Sequence, residues 1–158
     1  MRDMPSRATA EPGADIVLAF DFGLRRIGIA TANRRTNTAS PLTTLHVGRR
    51  LPWHDVDAVI EDWRPSQLVV GVPDENSAGD IAARATAFAA ALARRYGLPV
   101  AAVDESLTSR AASSELAAAR RTGGSTKKVR RDRIDRHAAC LIAEQWMREQ
   151  PNDRRANQ

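Results

Sequence analysis

A single cysteine, Cys140, stands in the 158-residue chain, so no internal disulfide can form and nothing demands an oxidising compartment. Aromatic residues make up only 4%, too little for the stacking platform of a single-strand binder. No apolar run approaches the roughly 20 residues of a membrane helix. The polar start, Met1 to Asp15 with Pro5, Pro12 and Gly13, lacks a signal-peptide core. Self-similarity at about 20–50 residues is missing, which excludes solenoids. The length suits one domain and is too short for two lobes closing over a cofactor. At 42% apolar and 27% charged, the chain is composed as a folded domain. A soluble, cytoplasmic protein without membrane contact is the expectation.

What the chain does have is an uneven charge. Its net charge is +5. Between Arg120 and Arg136 eight basic residues face only Asp132 and Asp135, so that stretch carries +6 and the remainder of the chain −1. An excess confined to one segment points to a polyanion partner more than a high isoelectric point does.

Residues 1–15 read as a leader, 16–149 as the domain and 150–158 as a polar tail. Ile16 to Phe20 and Ile27 to Thr31 are strand-forming runs that pair as a hairpin pivoting near Gly23, and Pro41 to Val47 can add a third strand. Val56, Val59, Ile60 and Trp63 fall at helical spacing between Pro52 and Pro65. Gln67 to Val72 is a strand covered on both faces. Gly79 to Tyr96 is an alanine-rich helix stopped by Gly97. Val100 to Val103 is a short strand, and a helix capped by Thr108 runs to about Ala119. Arg120 to Arg131 reads as a loop. The last helix spans about Asp132 to Arg148, with Ile134, Ala138, Leu141, Ile142 and Trp146 on one stripe. The class is α/β, a mixed sheet flanked by helices.

Three acids stand at the edges of these elements: Asp21 ends the first strand, Glu105 follows a later one, and Asp135 lies near the start of the last helix. Ligand sites of α/β sheets collect at strand ends. Convergent carboxylates repel one another unless a cation sits among them, and hard oxygen donors suit Mg²⁺ or Mn²⁺. Beside a basic segment the matching chemistry is two-metal phosphodiester hydrolysis.

The segment Leu18-Ala-Phe-Asp21-Phe-Gly-Leu-Arg25-Arg26-Ile-Gly28-Ile-Ala resembles the opening motif of the YqgF/RuvX family, Holliday-junction-resolvase-like proteins of the RNase H fold. Val69-Val-Gly71-Val-Pro73, then Val103-Asp-Glu105-Ser-Leu-Thr108-Ser109, then the basic segment with Ile134-Asp135, follow in the family's order. The likeness covers Ile16 to Met147. It implies an RNase H-like mixed sheet and a metal-dependent nuclease in which Asp21 bridges two metals, Glu105 holds one, and Asp135 completes the site. Asp132, one turn before Asp135, reads equally as a fourth ligand or a helix cap. Asp104, pointing to the face opposite Glu105, is left for a structural hydrogen bond. Arg25, Arg26, Lys127, Lys128, Arg130 and Arg131 are the residues expected to meet the phosphate backbone. The resemblance implies two substrates, the 5′ end of precursor 16S rRNA and four-way DNA junctions. The first is the reading adopted; a symmetric junction would favour a homodimer.

Departures from the family pattern bear on the substrate. Ser106 stands where the family has Arg, the loop from Asp74 to Gly79 is longer and more acidic, and Arg136-His137 replaces a small or apolar pair. Trp53, Trp63 and Trp146 are expected in the core, and Cys140 as a small buried hydrophobe. His137 reads as an incidental packing histidine, while His46 and His54 carry no signal. Two rival classes remain: a non-catalytic nucleic-acid-binding module associated with transcription, and a nucleotide phosphotransferase, which the short chain argues against.

Overall fold

The computed structural model describes residues 14–73, 80–104 and 127–150, with the side chains of 127–129 outside that set. The hairpin is formed by β1 (Ile16–Phe22) and β2 (Arg26–Asn33). It closes tightly, since a side chain at Gly23 would put its Cβ 2.7 Å from the Arg26 carbonyl oxygen. β3 (Thr38–His46) pairs antiparallel with β2, with a bulge between Ile29 and Ala30. The chain then crosses through α1 (Trp53–Trp63) to β4 (Gln67–Val72), and through α2 (Ile81–Tyr96) to β5 (Val100–Asp104). Both later strands run parallel, β4 to β1 and β5 to β4. The sheet order is β3-β2-β1-β4-β5, the mixed sheet expected. The final helix, α3, spans Lys127–Glu149.

The strands sort their residues by alternation. Leu18, Phe20 and Phe22 of β1, Ile27 and Ile29 of β2, and Leu68 and Val70 of β4 pack with Val56, Ala85, Phe88 and Leu92 from α1 and α2. Phe88 is the centre of that layer, with ring centroids 5.7 Å from Phe20, 5.1 Å from Phe22 and 5.5 Å from Trp53. Burying one such side chain is worth roughly 1.5–3 kcal/mol, with ring–ring packing adding to it. The opposite face carries smaller residues, Val17, Ala19, Ala30, Ala32 and Val69, and receives α3 through Ala139, Ile142, Ala143 and Trp146. Cys140 is buried among them, as expected.

Helix ends follow local chemistry. Arg64 takes the left-handed conformation after α1, and its N–H donates to the Ile60 carbonyl. Gly97 does the same for α2, donating to Ala93. Three expectations are corrected. Trp63, the last residue of α1, is exposed rather than core: it closes the helix two turns beyond Val56, the residue of α1 that is fully buried. α3 begins at Lys127, five residues before Asp132, so its basic start is helical and not loop. The run Lys127-Lys-Val-Arg-Arg131 contains no Gly or Pro, and Lys and Arg are good helix formers; charge density masks that. The sheet-facing stripe of α3 is Ala139, Cys140, Ile142, Ala143 and Trp146, whereas Ile134, Ala138 and Leu141 lie on its half-buried flanks. The helix expected over 108–119 lies outside the described residues.

Candidate metal and nucleic-acid site

The three parallel strands β1, β4 and β5 end at one edge of the sheet, and antiparallel β2 begins there with Arg26. Asp21 sits at that edge. It pairs with Gly28 across β2 and lies beside Gly71 on β4. Since Val17 and Ala19 face α3, alternation puts Asp21 on the same face. On the helix, Asp135, Ala139, Ile142 and Trp146 follow one another at spacings of four, three and four, a single helical face. The last three are buried against the sheet, so Asp135 heads the inward row.

Gly28 sets the distance between the two acids. A Cβ built there would overlap the backbone carbonyl of Asp135 and lie 2.9 Å from its Cβ. Helix backbone therefore rests on strand backbone at the cross-strand partner of Asp21. Cross-strand partners are about 4.5–5.5 Å apart between Cα atoms, so Asp21 and Asp135 are neighbours on one surface.

Arg26 is the cation in this arrangement. Its Nε donates to Asp135 Oδ2 at 2.6 Å, and both side chains are about one-fifth to one-quarter exposed. Burial pushes the Asp135 carboxyl above the ordinary carboxylate range; the bond and charge of Arg26 pull it back, and the neighbouring Asp132 adds to the rise. Arg25, in the turn directly before it, is exposed.

Asp132 does not join the pair in the same way. Its carboxylate Oδ2 is 3.6 Å from His46 Nε2, within ion-pair reach when the imidazole is protonated. Its backbone carbonyl accepts a 2.7 Å hydrogen bond from Thr44 Oγ1. Thr44 and His46 pair with Gly28 and Arg26 across the β2–β3 ladder, so Asp132 stands over β3, two strands from Asp21. The cap reading is excluded, because Asp132 lies in the second turn of α3. His46 and Thr44 carried no signal by residue type. Their alternation on β3, in register with Gly28 and Arg26, is what could have found them.

The remaining expected residues divide as follows. Arg131 is exposed and Arg130 half-buried on α3. Lys127 and Lys128 open that helix, with side chains outside the described set. Glu105 lies outside the described residues. Asp104 is exposed while Val103 is buried with the α3 layer, so Asp104 points away from the site. Among the described residues no three Asp, Glu, His or Cys side chains converge on one point, and no helix is long and apolar enough to cross a membrane.

Three comparisons bear on the family and the fold. The family model described as RuvX, Holliday junction resolvase, matches residues 15–149. A Marinobacter nauticus protein named "Putative pre-16S rRNA nuclease" is 39% identical, over 89% of this chain and 97% of its own length. A Haemophilus ducreyi protein of the same name is also 39% identical, covering 87% and 99%. Among solved structures, T. thermophilus RuvC in complex with a Holliday junction substrate superposes with a TM-score of 0.54 at 18% identity, covering 85% of this chain and 96% of RuvC. That likeness shows a shared fold, RNase H-like as expected. From the matched span and the relatives' identity, the chain belongs to the RuvX family of Holliday-junction-resolvase-like nucleases.

Proposed function

We propose that this nuclease is a divalent-metal-dependent endonuclease that processes the 5′ end of precursor 16S rRNA. The observation that carries the reading is the seating of Asp135 over Gly28, the cross-strand partner of Asp21. Two acids far apart in sequence thereby share one partly desolvated surface, where an uncompensated pair of charges is costly. Their oxygens are hard donors of the kind Mg²⁺ or Mn²⁺ takes. A third acid has to come from outside the described residues, and Glu105, directly after β5, is the one proposed. Asp132, on α3 above β3 with His46 beside it, flanks the pair rather than joining it.

When bound, a pair of such ions supplies Lewis acidity at the attacking and leaving oxygens of an in-line displacement. The chain's own residues do the rest. Asp21 and Asp135 fix the point at which the phosphodiester is presented. Arg25, exposed in the turn, and Arg130 and Arg131 on α3 hold the backbone on either side, with Lys127 and Lys128 extending the basic track. The precursor-rRNA substrate is supported by the names of the relatives. A second substrate, the four-way DNA junction, is supported by the description of the family model.

The test is a side-by-side cleavage assay on a precursor-rRNA 5′ segment and a four-way junction, with Mg²⁺, Mn²⁺ or EDTA. Metal-dependent cleavage of the RNA, abolished in Asp21→Asn, is expected. Cleavage of the junction alone would replace the substrate, and binding without cleavage that Asp21→Asn leaves unchanged would remove the enzymatic reading.

A further inference from the structure

We propose that Arg26 and the divalent cation compete for Asp135, and that the displaced guanidinium is handed to a phosphate of the nucleic acid. Arg26 thereby couples metal binding to substrate binding. The inference rests on the reading that Asp135 holds the cation. It starts from the 2.6 Å bond between Arg26 Nε and Asp135 Oδ2, joining residues 109 apart in sequence.

A positive group bonded to a carboxylate oxygen must give up or share that oxygen before a metal can take it, and charge-assisted bonds are the strong ones. The bond also lies in partial burial, where screening by water is reduced. Arg26 opens β2 on the same face as Gly28, directly after the exposed turn that carries Leu24 and Arg25. A guanidinium released from Asp135 therefore stays at the strand-end edge, where a phosphate held by Arg25 would lie. Its planar fork of donors fits phosphate oxygens as well as carboxylate oxygens. The simple alternative is a staple that only pins α3 to the sheet. A staple predicts lost stability on mutation and no change in metal affinity.

Mn²⁺ binding to the full chain at pH 8, read from the electron paramagnetic resonance signal of free Mn²⁺, separates the two. Arg26→Gln should bind Mn²⁺ about ten-fold more tightly than wild type, the order of magnitude of one charge-assisted hydrogen bond removed from the competition. A fluorescein-labelled precursor-rRNA segment, titrated with and without Ca²⁺, reads the hand-over. The gain in RNA affinity that Ca²⁺ produces in wild type should shrink in Arg26→Gln. Arg34→Gln removes an equal charge at the far end of β2–β3; an equal tightening there would make the effect one of net charge and overturn the competition. Unchanged or weaker Mn²⁺ binding in Arg26→Gln overturns it as well. Should Arg26→Gln not fold by near-ultraviolet circular dichroism, Arg26→Lys carries the test. It keeps the charge but loses the fork, and should give a smaller tightening, with no change counting against the proposal. Asp135→Asn separates the two levels: if it binds Mn²⁺ as wild type does, the metal reading fails and the competition with it. If it loses Mn²⁺ while Arg26→Gln is silent, only the competition fails.

Discussion

Gly28→Ala is the sharpest perturbation available to this fold, because it adds one methyl group at the point that spaces the two acids. The added Cβ would overlap the Asp135 carbonyl and come within 2.9 Å of the Asp135 Cβ. The obstacle is backbone rather than the end of a flexible side chain, so rotamer changes cannot relieve it. α3 has to retreat from β2, by on the order of 1 Å. Overpacking of this kind costs about 1–3 kcal/mol, and a backbone obstacle belongs at the upper end, about 3 kcal/mol. Against a total stability of roughly 5–15 kcal/mol, the protein should still fold. With a urea m-value of about 2 kcal/mol/M, the unfolding midpoint should fall by roughly 1.5 M. Displacing a reacting group by about 1 Å can cost on the order of a hundred-fold in rate, so cleavage should fall far more than the drop in folded protein explains. Gly48→Ala is the control, since a Cβ at Gly48 has nothing within 4 Å; it should match wild type in both assays. If Gly28→Ala unfolded within about 0.3 M of wild type and cut at the wild-type rate, the claim that helix and strand backbones touch at Asp135 would be refuted.

Three other outcomes are expected. Phe88→Ala, which empties the centre of the aromatic layer, should cost about 3–5 kcal/mol in urea unfolding while leaving the specific activity of the folded fraction close to wild type. On the outer surface, Arg95 donates two 2.8 Å hydrogen bonds to Asp57, and the Tyr96 hydroxyl donates another at 2.5 Å; the Arg95 and Tyr96 donors hold the Asp57 carboxyl well below its ordinary range. A depressed carboxylate contributes stability above its ordinary pKa and loses it as pH falls toward the folded value. The melting temperature of Asp57→Asn should therefore fall less steeply than that of wild type below about pH 4, and parallel acid limbs would refute the assignment. Neutralising Lys127, Lys128, Arg130 and Arg131 together should weaken nucleic-acid binding and flatten its log–log salt dependence by about 0.7–0.9 for every phosphate they neutralise in the wild type; an unchanged slope would show that the start of α3 does not meet the backbone.

The strands and the first two helices were legible because their signals are local: short strand-forming runs in β1 and β2, an apolar run in β4, and glycine after α2. The start of α3 was not, since it falls in the Arg120–Arg136 stretch whose eight-in-seventeen basic density looks like loop, while Lys and Arg are in fact good helix formers. Asp21 and Asp135 stand out by motif and element edge. Their juxtaposition does not, because it depends on the register of β1 against β2 and on the closeness that Gly28 permits. Arg26 is expected at phosphate, and its bond to Asp135 is a tertiary fact that no spacing encodes. His46 is silent for the same reason: its meaning lies in being level with Arg26 across the β2–β3 ladder.

The unequal residue sizes on the two faces of the sheet have a consequence for how this protein can vary. On the face of α1 and α2, large side chains fill the gap between layers, so substitutions can be absorbed by repacking while helices slide a little. At the Gly28 end of the α3 face the spacing is set by glycine, alanine and main chain, which have nothing to repack. One face can therefore accept changes in volume as a matter of stability alone, whereas the other acts as a fixed ruler. Variants chosen for thermostability should accumulate around Phe88 and avoid the strip from Gly28 to Ala139.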